Sequence, residues 1–303
     1  MTFQQFKIQS IKELSGSPSP SLDVEVLMQW ILKKDRSYIL FHRDEELSEE
    51  QESQLKKSIS LRKTGLPIAY ITGHKEFYGI DFMVSPDVLI PKPDTEVLVE
   101  NSIEIIRCLQ DKSDHTLNIL DMCTGSGCVA ISIIKTLKDL HSPGESNLKF
   151  TLADISNKAL DIARENARRI LDPETLSKVT FVSTNLFKNL KDKSFDLIVS
   201  NPPYVPCDQT TELLKDGRNE PRLALDGDID IEGNPSGTKD GLEIIRNLVS
   251  QAKSHLTENG MLILETGEYN AMETACLMEK IGFRDVKTYV DLEGDLRNVS
   301  GKN

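Results

Sequence analysis

The stretch "LNILDMCTGSGCVAISI", residues 117–133, decides the architecture. Its first five residues are largely apolar and end in Asp121; Thr124, Gly125, Ser126 and Gly127 follow before a second apolar run. Small residues let a backbone turn tightly, so the pattern reads as strand, tight turn and helix. The same alternation continues downstream. "FTLAD" (150–154), "VTFVS" (179–183), "FDLIVS" (195–200), "MLILE" (261–265) and "RDVKTYV" (284–290) read as strands. Helical patterns begin at Gly127, cover "KALDIARENARRI" (158–170) and "GLEIIRNLVSQAKSHL" (241–256), and resume at about Tyr269. Alternating strands and helices predict an α/β fold, a mostly parallel sheet with helices on both faces. "DGDIDIEGNPSGTKDG" (226–241) interrupts this pattern as an acidic insertion rich in turn formers, expected to be exposed.

Upstream the periodicity differs. Residues 2–14, 21–34 and 48–64 carry apolar positions at three- and four-residue spacing, and Ser48-x-x-Gln51 forms a capping-box pattern at the start of the third segment. From Pro67 the sequence changes to "PIAYITGHKEFYGIDFMV", where aromatic and β-branched residues flank glycines, which reads as a hairpin. "DTEVLVENSIEIIRCLQ" (94–110) is then an amphipathic helix. The expected division is a helical domain at 1–66, a hairpin linker at 67–86 and the sheet domain at 87–303.

Composition removes several classes of function. The chain of 303 residues has 38% hydrophobic and 28% charged residues, the mix of an ordinary globular protein. No apolar run approaches the roughly 20 residues of a membrane helix, and the start lacks a signal-peptide layout. Five cysteines, Cys108, Cys123, Cys128, Cys207 and Cys276, include no CxxC pair, so neither a disulfide framework nor a metal site is expected. A cytoplasmic location follows. A net charge of −12 disfavours broad nucleic-acid binding, which needs basic surface to displace counterions.

In folds of this class ligands bind beyond the carboxyl ends of the strands. The turn from Thr124 to Gly127 lies at one such end and offers backbone N–H donors at a helix N-terminus. It also fits the G-x-G-x-x-A spacing of a dinucleotide site through Gly125, Gly127 and Ala130, so a nicotinamide dehydrogenase shares this feature. Asp154 closes the next strand, where a carboxylate accepts bonds from ribose hydroxyls. "FDLIVSNPPYV" (195–205) adds what a dehydrogenase leaves unexplained. The run 195–200 suits a strand buried on both faces, so Asn201 emerges at the same edge. Pro202 and Pro203 fix φ and offer no N–H, leaving a stiff segment rich in acceptors. The Asn201 side-chain oxygen and a backbone carbonyl suit the two hydrogens of a planar NH₂ group, beside the Tyr204 ring as an apolar wall. Such a nitrogen is a weak nucleophile. Positioning against a reactive methyl donor then supplies much of the catalysis, of order 7–11 kcal/mol at best.

These residues resemble the class I S-adenosylmethionine-dependent methyltransferases, and within them the HemK/PrmC family of protein-(glutamine-N5) methyltransferases that modify the GGQ glutamine of peptide chain release factors. The likeness is carried by "GLPIAYITGHKEFYGIDFMVSPDVLIPKPDTEVLVE" (65–100), the turn at 120–133, "ADISNKALDIARENARR", "FDLIVSNPPYV" and "NEPRLALDG", in that order. It implies a Rossmann-like, seven-stranded, mostly parallel sheet with the last strand reversed, and a helical N-terminal domain that holds the protein substrate. By the same resemblance, Cys123, Thr124, Gly125, Ser126 and Gly127 would line the methionine and ribose portions of S-adenosylmethionine, from which S-adenosylhomocysteine is the product. Asp154 would hold the ribose hydroxyls, Asn185 and Leu186 would lie along the adenine, and Asn201, Pro202, Pro203 and Tyr204 would clamp the glutamine amide, with Asn201 near the transferred methyl. The chain departs from the family at Cys123, where Gly is usual and a cysteine avoids strain only at φ below zero. It also has Asn185 in place of Asp and Lys92 in place of Arg, which loses bidentate geometry. An amino-methyltransferase of DNA, RNA or a ribosomal-protein glutamine shares "NPPY" and is the second reading.

Overall fold

The computed structural model describes residues 1–112, 115–140, 147–230 and 233–303. It divides into two units: Met1–His74 with Leu213–Asn219, and Lys75–Glu212 with Glu220–Asn303. The first unit is helical, with α1 (Phe3–Glu13), α2 (Pro20–Leu32), α3 (Arg36–Phe41), α4 (Glu49–Lys63) and α5 (Ile68–Thr72). The capping box at Ser48 and Gln51 is present, with each residue's side chain bonded to the other's backbone N–H. Phe6, Val24, Leu27, Met28, Leu55 and Ile59 form its core. Arg62 Nε donates to Asp23 Oδ2 at 2.7 Å and its guanidinium also reaches Ser17 Oγ, so the α2–α4 pair is fixed by a largely buried charge pair.

The expected hairpin from Pro67 is shorter than its sequence suggests. Residues 68–72 form the turn of helix α5, ended by Gly73 at φ +77°, and only β1 (His74–Phe77) and β2 (Ile80–Met83) pair. The second unit continues with α6 (Glu96–Gln110), β3 (Leu117–Met122), α7 (Cys128–Asp139), β4 (Leu148–Asp154), α8 (Asn157–Ile170), α9 (Pro173–Leu176), β5 (Val179–Ser183) and β6 (Phe195–Ser200). It ends with α10 (Cys207–Leu213), α11 (Glu243–Ala252), β7 (Leu256–Glu265), α12 (Ala271–Ile281), β8 (Arg284–Val290) and β9 (Leu296–Lys302). The seven strands lie in the order β5-β4-β3-β6-β7-β9-β8. All neighbouring pairs are parallel except β9, which runs antiparallel to both β7 and β8.

Side-chain alternation sorts the strand residues into two layers. Ile119, Leu197, Val199 and Ile263 join a core with α6, α7, α8 and the hairpin residues Phe77 and Phe82. Leu120, Ile198, Leu262 and Leu264 point the other way, into a core with α11 and α12. All six residues of β6 are buried, as expected of a central strand covered on both faces.

Two local devices hold the glycine turn on this scaffold. Gly127 has φ +80°, and a Cβ there would lie 2.9 Å from Ile131 Cδ1 and 3.2 Å from Ala163 Cβ, so only glycine lets α7 seat against α8. Asn166 of α8 is fully buried: its Oδ1 accepts from Met83 N at 2.8 Å, and its Nδ2 donates to Met83 O at 3.0 Å and to Ser126 O at 2.9 Å. One side chain thereby joins the hairpin, α8 and the turn. Asn166→Ala strands three buried backbone groups and is expected to lower stability by about 2–4 kcal/mol, read by urea denaturation; a loss below about 1 kcal/mol would show that the junction does not depend on this amide.

Candidate active site

Parallel strands bring their carboxyl ends to one edge of the sheet, and the principal cleft of this unit opens there. Cys123, Thr124, Gly125 and Ser126 line it after β3, Asp154 after β4, Asn185 and Leu186 after β5, and Asn201 and Pro203 after β6. Residues from 87–95 and 221–224, Asp230 of the acidic insertion and Ile244 of α11 add to the walls. The strand ends are bonded to one another. Thr124 N donates to Ala153 O at 3.0 Å, and Thr184 N donates to Asp154 O at 2.9 Å.

Two cleft residues carry backbone strain. Cys123 has φ +61° and Leu186 φ +44°, left-handed conformations that cost a non-glycine residue roughly 1–2 kcal/mol each. The expectation that Cys123 would keep a negative φ is therefore not met: the chain must turn back at once to place Thr124 against β4, and the small side chain tolerates the strain. Gly125, at φ +55°, has open space where a Cβ would be, so the turn presents bare backbone to the cleft.

The carboxylates have distinct environments. Asp154 Oδ2 accepts from Gly125 N and Oδ1 from Ser156 N, both at 2.9 Å, which fixes the carboxylate at the lip of the turn; burial raises its pKa against these bonds. Asp121 is buried beneath the turn, accepting from Thr124 Oγ1 at 2.6 Å and from Ala130 N at 3.3 Å, and burial pushes it up to about 7. The Cys128 thiol is pushed up to about 12 by burial, and burial raises Cys123 as well. Both thiols therefore stay protonated and are poor nucleophiles, which argues against reactivity at the helix N-terminus.

Asn201 is held by a residue 106 positions away: its Nδ2 donates to Thr95 Oγ1 at 3.1 Å. The bond leaves Oδ1 as the atom Asn201 can offer as an acceptor. Tyr204 takes a different place from the apolar wall read from the sequence. Its hydroxyl donates to Glu265 Oε1 at 3.1 Å, its carbonyl accepts from Asn270 Nδ2 and Tyr269 Oη, and it does not line the cleft. Pro202 and Gly127 are buried and are not among the lining residues. Lys92 Nζ meets Glu220 Oε1 at 2.6 Å, a single-point contact that ties the "IPKPDTE" segment to "NEPRLAL". Sequence reasoning missed Thr95, Glu220 and Glu265. The segments containing the first two are recognisable in the sequence, but no spacing rule links residues so far apart.

Glu265, the last residue of β7, is only 1% exposed, and burial pushes it up to about 7 against the pull of the Thr95 and Tyr204 hydroxyls. Asp94 raises it further and Arg297 lowers it, while Cys128 of α7 also faces it.

The acidic insertion is exposed at 233–237, Lys239 and Asp240, as its composition suggests, but its first residues are buried. Asp226, Asp228 and Ile229 are buried, and Asp228 accepts from Cys207 N, Thr238 Oγ1 and Gly241 N, which closes the base of the insertion. Ile231 and Glu232 lie outside the described residues.

Comparison with known proteins gives consistent results. Residues 8–73 match the PrmC N-terminal domain and residues 100–229 the methyltransferase small domain. The chain is 33% identical over 302 residues to the release factor glutamine methyltransferase of Buchnera aphidicola, covering 100% of this chain and 99% of that one. It is 34% identical over 308 residues to the protein of the same name from Koribacter versatilis, again covering 100% and 99%. Among solved structures, the 16S rRNA N2 G1207 methyltransferase of T. thermophilus, in complex with AdoMet and guanosine, superposes with a TM-score of 0.51 at 14% identity, covering 76% of this chain and 49% of that one. That likeness shows the fold alone.

The raised Glu265 carboxyl has a measurable consequence. Its folded value near 7 exceeds the 4.5 of the free group, so the folded state binds more protons between these values and the group's contribution to stability falls as pH rises through that window. Glu265→Gln removes this slope. Urea denaturation at about pH 5 and about pH 8 should show the variant gaining on the wild type at the higher pH; an equal difference at both would mean that Glu265 is already ionised at the lower one.

Proposed function

The chain belongs to the release factor glutamine methyltransferases, and from that premise we propose how its residues transfer a methyl group from S-adenosylmethionine to the side-chain amide nitrogen, N5, of the GGQ glutamine of peptide chain release factors in the cytoplasm. The observation that carries this reading is the orientation of Asn201. With Nδ2 bonded to Thr95, its Oδ1 is an acceptor at the edge of the cleft that also holds Asp154 and the glycine turn.

The residues present fit the cofactor. Cys123 to Gly127 would hold its methionine and ribose portions over bare backbone, the fixed Asp154 carboxylate would take the ribose hydroxyls, and Asn185 with Leu186 would flank the adenine. Asn185 offers an amide oxygen where a carboxylate is usual, so an acceptor is kept without a charge. When bound there, S-adenosylmethionine supplies an electrophilic sulfonium methyl group and leaves as S-adenosylhomocysteine.

A carboxamide nitrogen is a weak nucleophile because its lone pair is delocalised into the carbonyl. Asn201 Oδ1 and a carbonyl of the proline pair would each accept one of its hydrogens, which orients the lone pair and stabilises the positive charge that develops on nitrogen. Pro202 and Pro203 keep these acceptors stiff and add no competing donor. Residues 1–66 are assigned to recognition of the release factor. Stable nucleic-acid binding is not expected of a chain of net charge −12. No helix among the described residues is long and apolar enough to cross a membrane.

The test is mass spectrometry of release factor incubated with the full chain and methyl-labelled S-adenosylmethionine, with a nucleic-acid control. One added methyl on the GGQ glutamine is expected, with the rate cut by about 10²–10³ in Asn201→Ala. Labelled nucleic acid beside an untouched release factor would instead favour a nucleic-acid amino-methyltransferase.

A further inference from the structure

The buried carboxyl at the end of β7 has no place in the amide clamp as described, yet it stands between the two ends of the "NPPY" segment that carries it. The Tyr204 hydroxyl donates to Glu265 Oε1, and the Thr95 hydroxyl, which accepts from Asn201 Nδ2, lies beside the same carboxyl. Glu265 Oε2 has no hydrogen-bond partner among the described residues. Such a group is costly to bury, since a carboxyl in an apolar interior loses hydration that one hydroxyl bond does not replace. Its site is not that of a structural ion pair either: Arg297 is bonded to Asp291 through Nε at 2.7 Å and also faces Asp94 at 3.4 Å.

We propose that Glu265 is a positioning residue for methyl transfer, bonded to Tyr204 at one end of the "NPPY" segment and standing beside Thr95, which holds Asn201, at the other. The inference rests on the reading of that segment as the amide clamp. The segment needs an external brace because its prolines cannot donate backbone bonds to neighbouring strands. Asn270 Nδ2 and Tyr269 Oη fix the Tyr204 carbonyl, each at 3.2 Å, while Glu265 fixes the far end of the ring. A clamp of two acceptors works only if both stay within a fraction of an ångström of their productive positions, and Glu265 helps to hold those positions without touching substrate.

The experiment measures kcat, KM for release factor and cofactor Kd with the full chain. Glu265→Ala should lower kcat by about tenfold or more while cofactor Kd changes less than about threefold, because the glycine turn and Asp154 are untouched. Glu265→Gln, an isostere of the neutral acid that still accepts from Tyr204, should recover most of that loss. Tyr204→Phe removes one hydroxyl without opening a cavity, and should lower kcat at unchanged cofactor Kd. Combined with Glu265→Ala it should cost much less than the product of the two single effects. Unchanged kcat in Glu265→Ala, or fully multiplicative losses, would overturn the proposal. Should Glu265→Ala fail to fold, Tyr204→Phe decides alone, and wild-type kcat there overturns it. Asn201→Ala separates the two levels: full activity in that variant refutes the clamp itself, whereas an inactive Asn201→Ala beside a normal Glu265→Ala refutes only the role of Glu265.

Discussion

The hydrogen bond from Asn201 Nδ2 to Thr95 Oγ1 is the contact on which the proposed chemistry at the sheet edge depends. A primary amide can turn either its donor or its acceptor outward, and the two faces recognise opposite chemistry. Thr95 occupies the donor side. In the proposed reading an NH₂ group fits the remaining oxygen, with Pro203 beside it in the cleft. Thr95 is itself buried in the short turn that opens α6, so the choice is built into the fold rather than left to a surface rotamer.

The rest of the fold places that oxygen beside the proposed cofactor site. The parallel strands set Asp154 and Asn201 on one edge, with β3 pairing to β4 on one side and β6 on the other. Gly127 lets α7 approach α8, and Asn166 secures the turn from below. The left-handed conformations of Cys123 and Leu186 are the cost of bringing the loops after β3 and β5 into the same cleft. Strain of this kind gathers where a scaffold must present a precise concave surface, and here it flanks the proposed positions of the methionine and adenine portions.

Much of this organisation is legible in the sequence. Strands β3 to β6, the second half of β7 and helices α6, α7 and α8 announce themselves through apolar runs of clear period, and the capping box marks α4 to the residue. Elements that escape notice are short or weakly patterned. Helix α3 spans six residues and α5 five, too few for a helical period to emerge, and the aromatic and β-branched residues around α5 resemble a strand. Strand β9, "LRNVSGK", lacks a β-branched run, yet Asn298, Val299, Ser300 and Gly301 are all buried because it is inserted between β7 and β8. Within the site, the turn, Asp154 and Asn201 can be read locally. Thr95 and Glu265 cannot, since their meaning arises only when α6 and β7 bring them to the "NPPY" segment from opposite directions.

Substitution at Thr95 tests the central claim most directly, because Thr95 sets the orientation of Asn201 through one hydroxyl. Steady-state methylation of release factor should be measured for Thr95→Val and Thr95→Ser, with cofactor affinity followed by calorimetry. Serine keeps the hydroxyl and should retain most of the rate; valine, of the same shape, should lose about tenfold or more in kcat with cofactor affinity preserved. Equal, near-normal rates in both variants would contradict the account, since Asn201 would then find its orientation without Thr95.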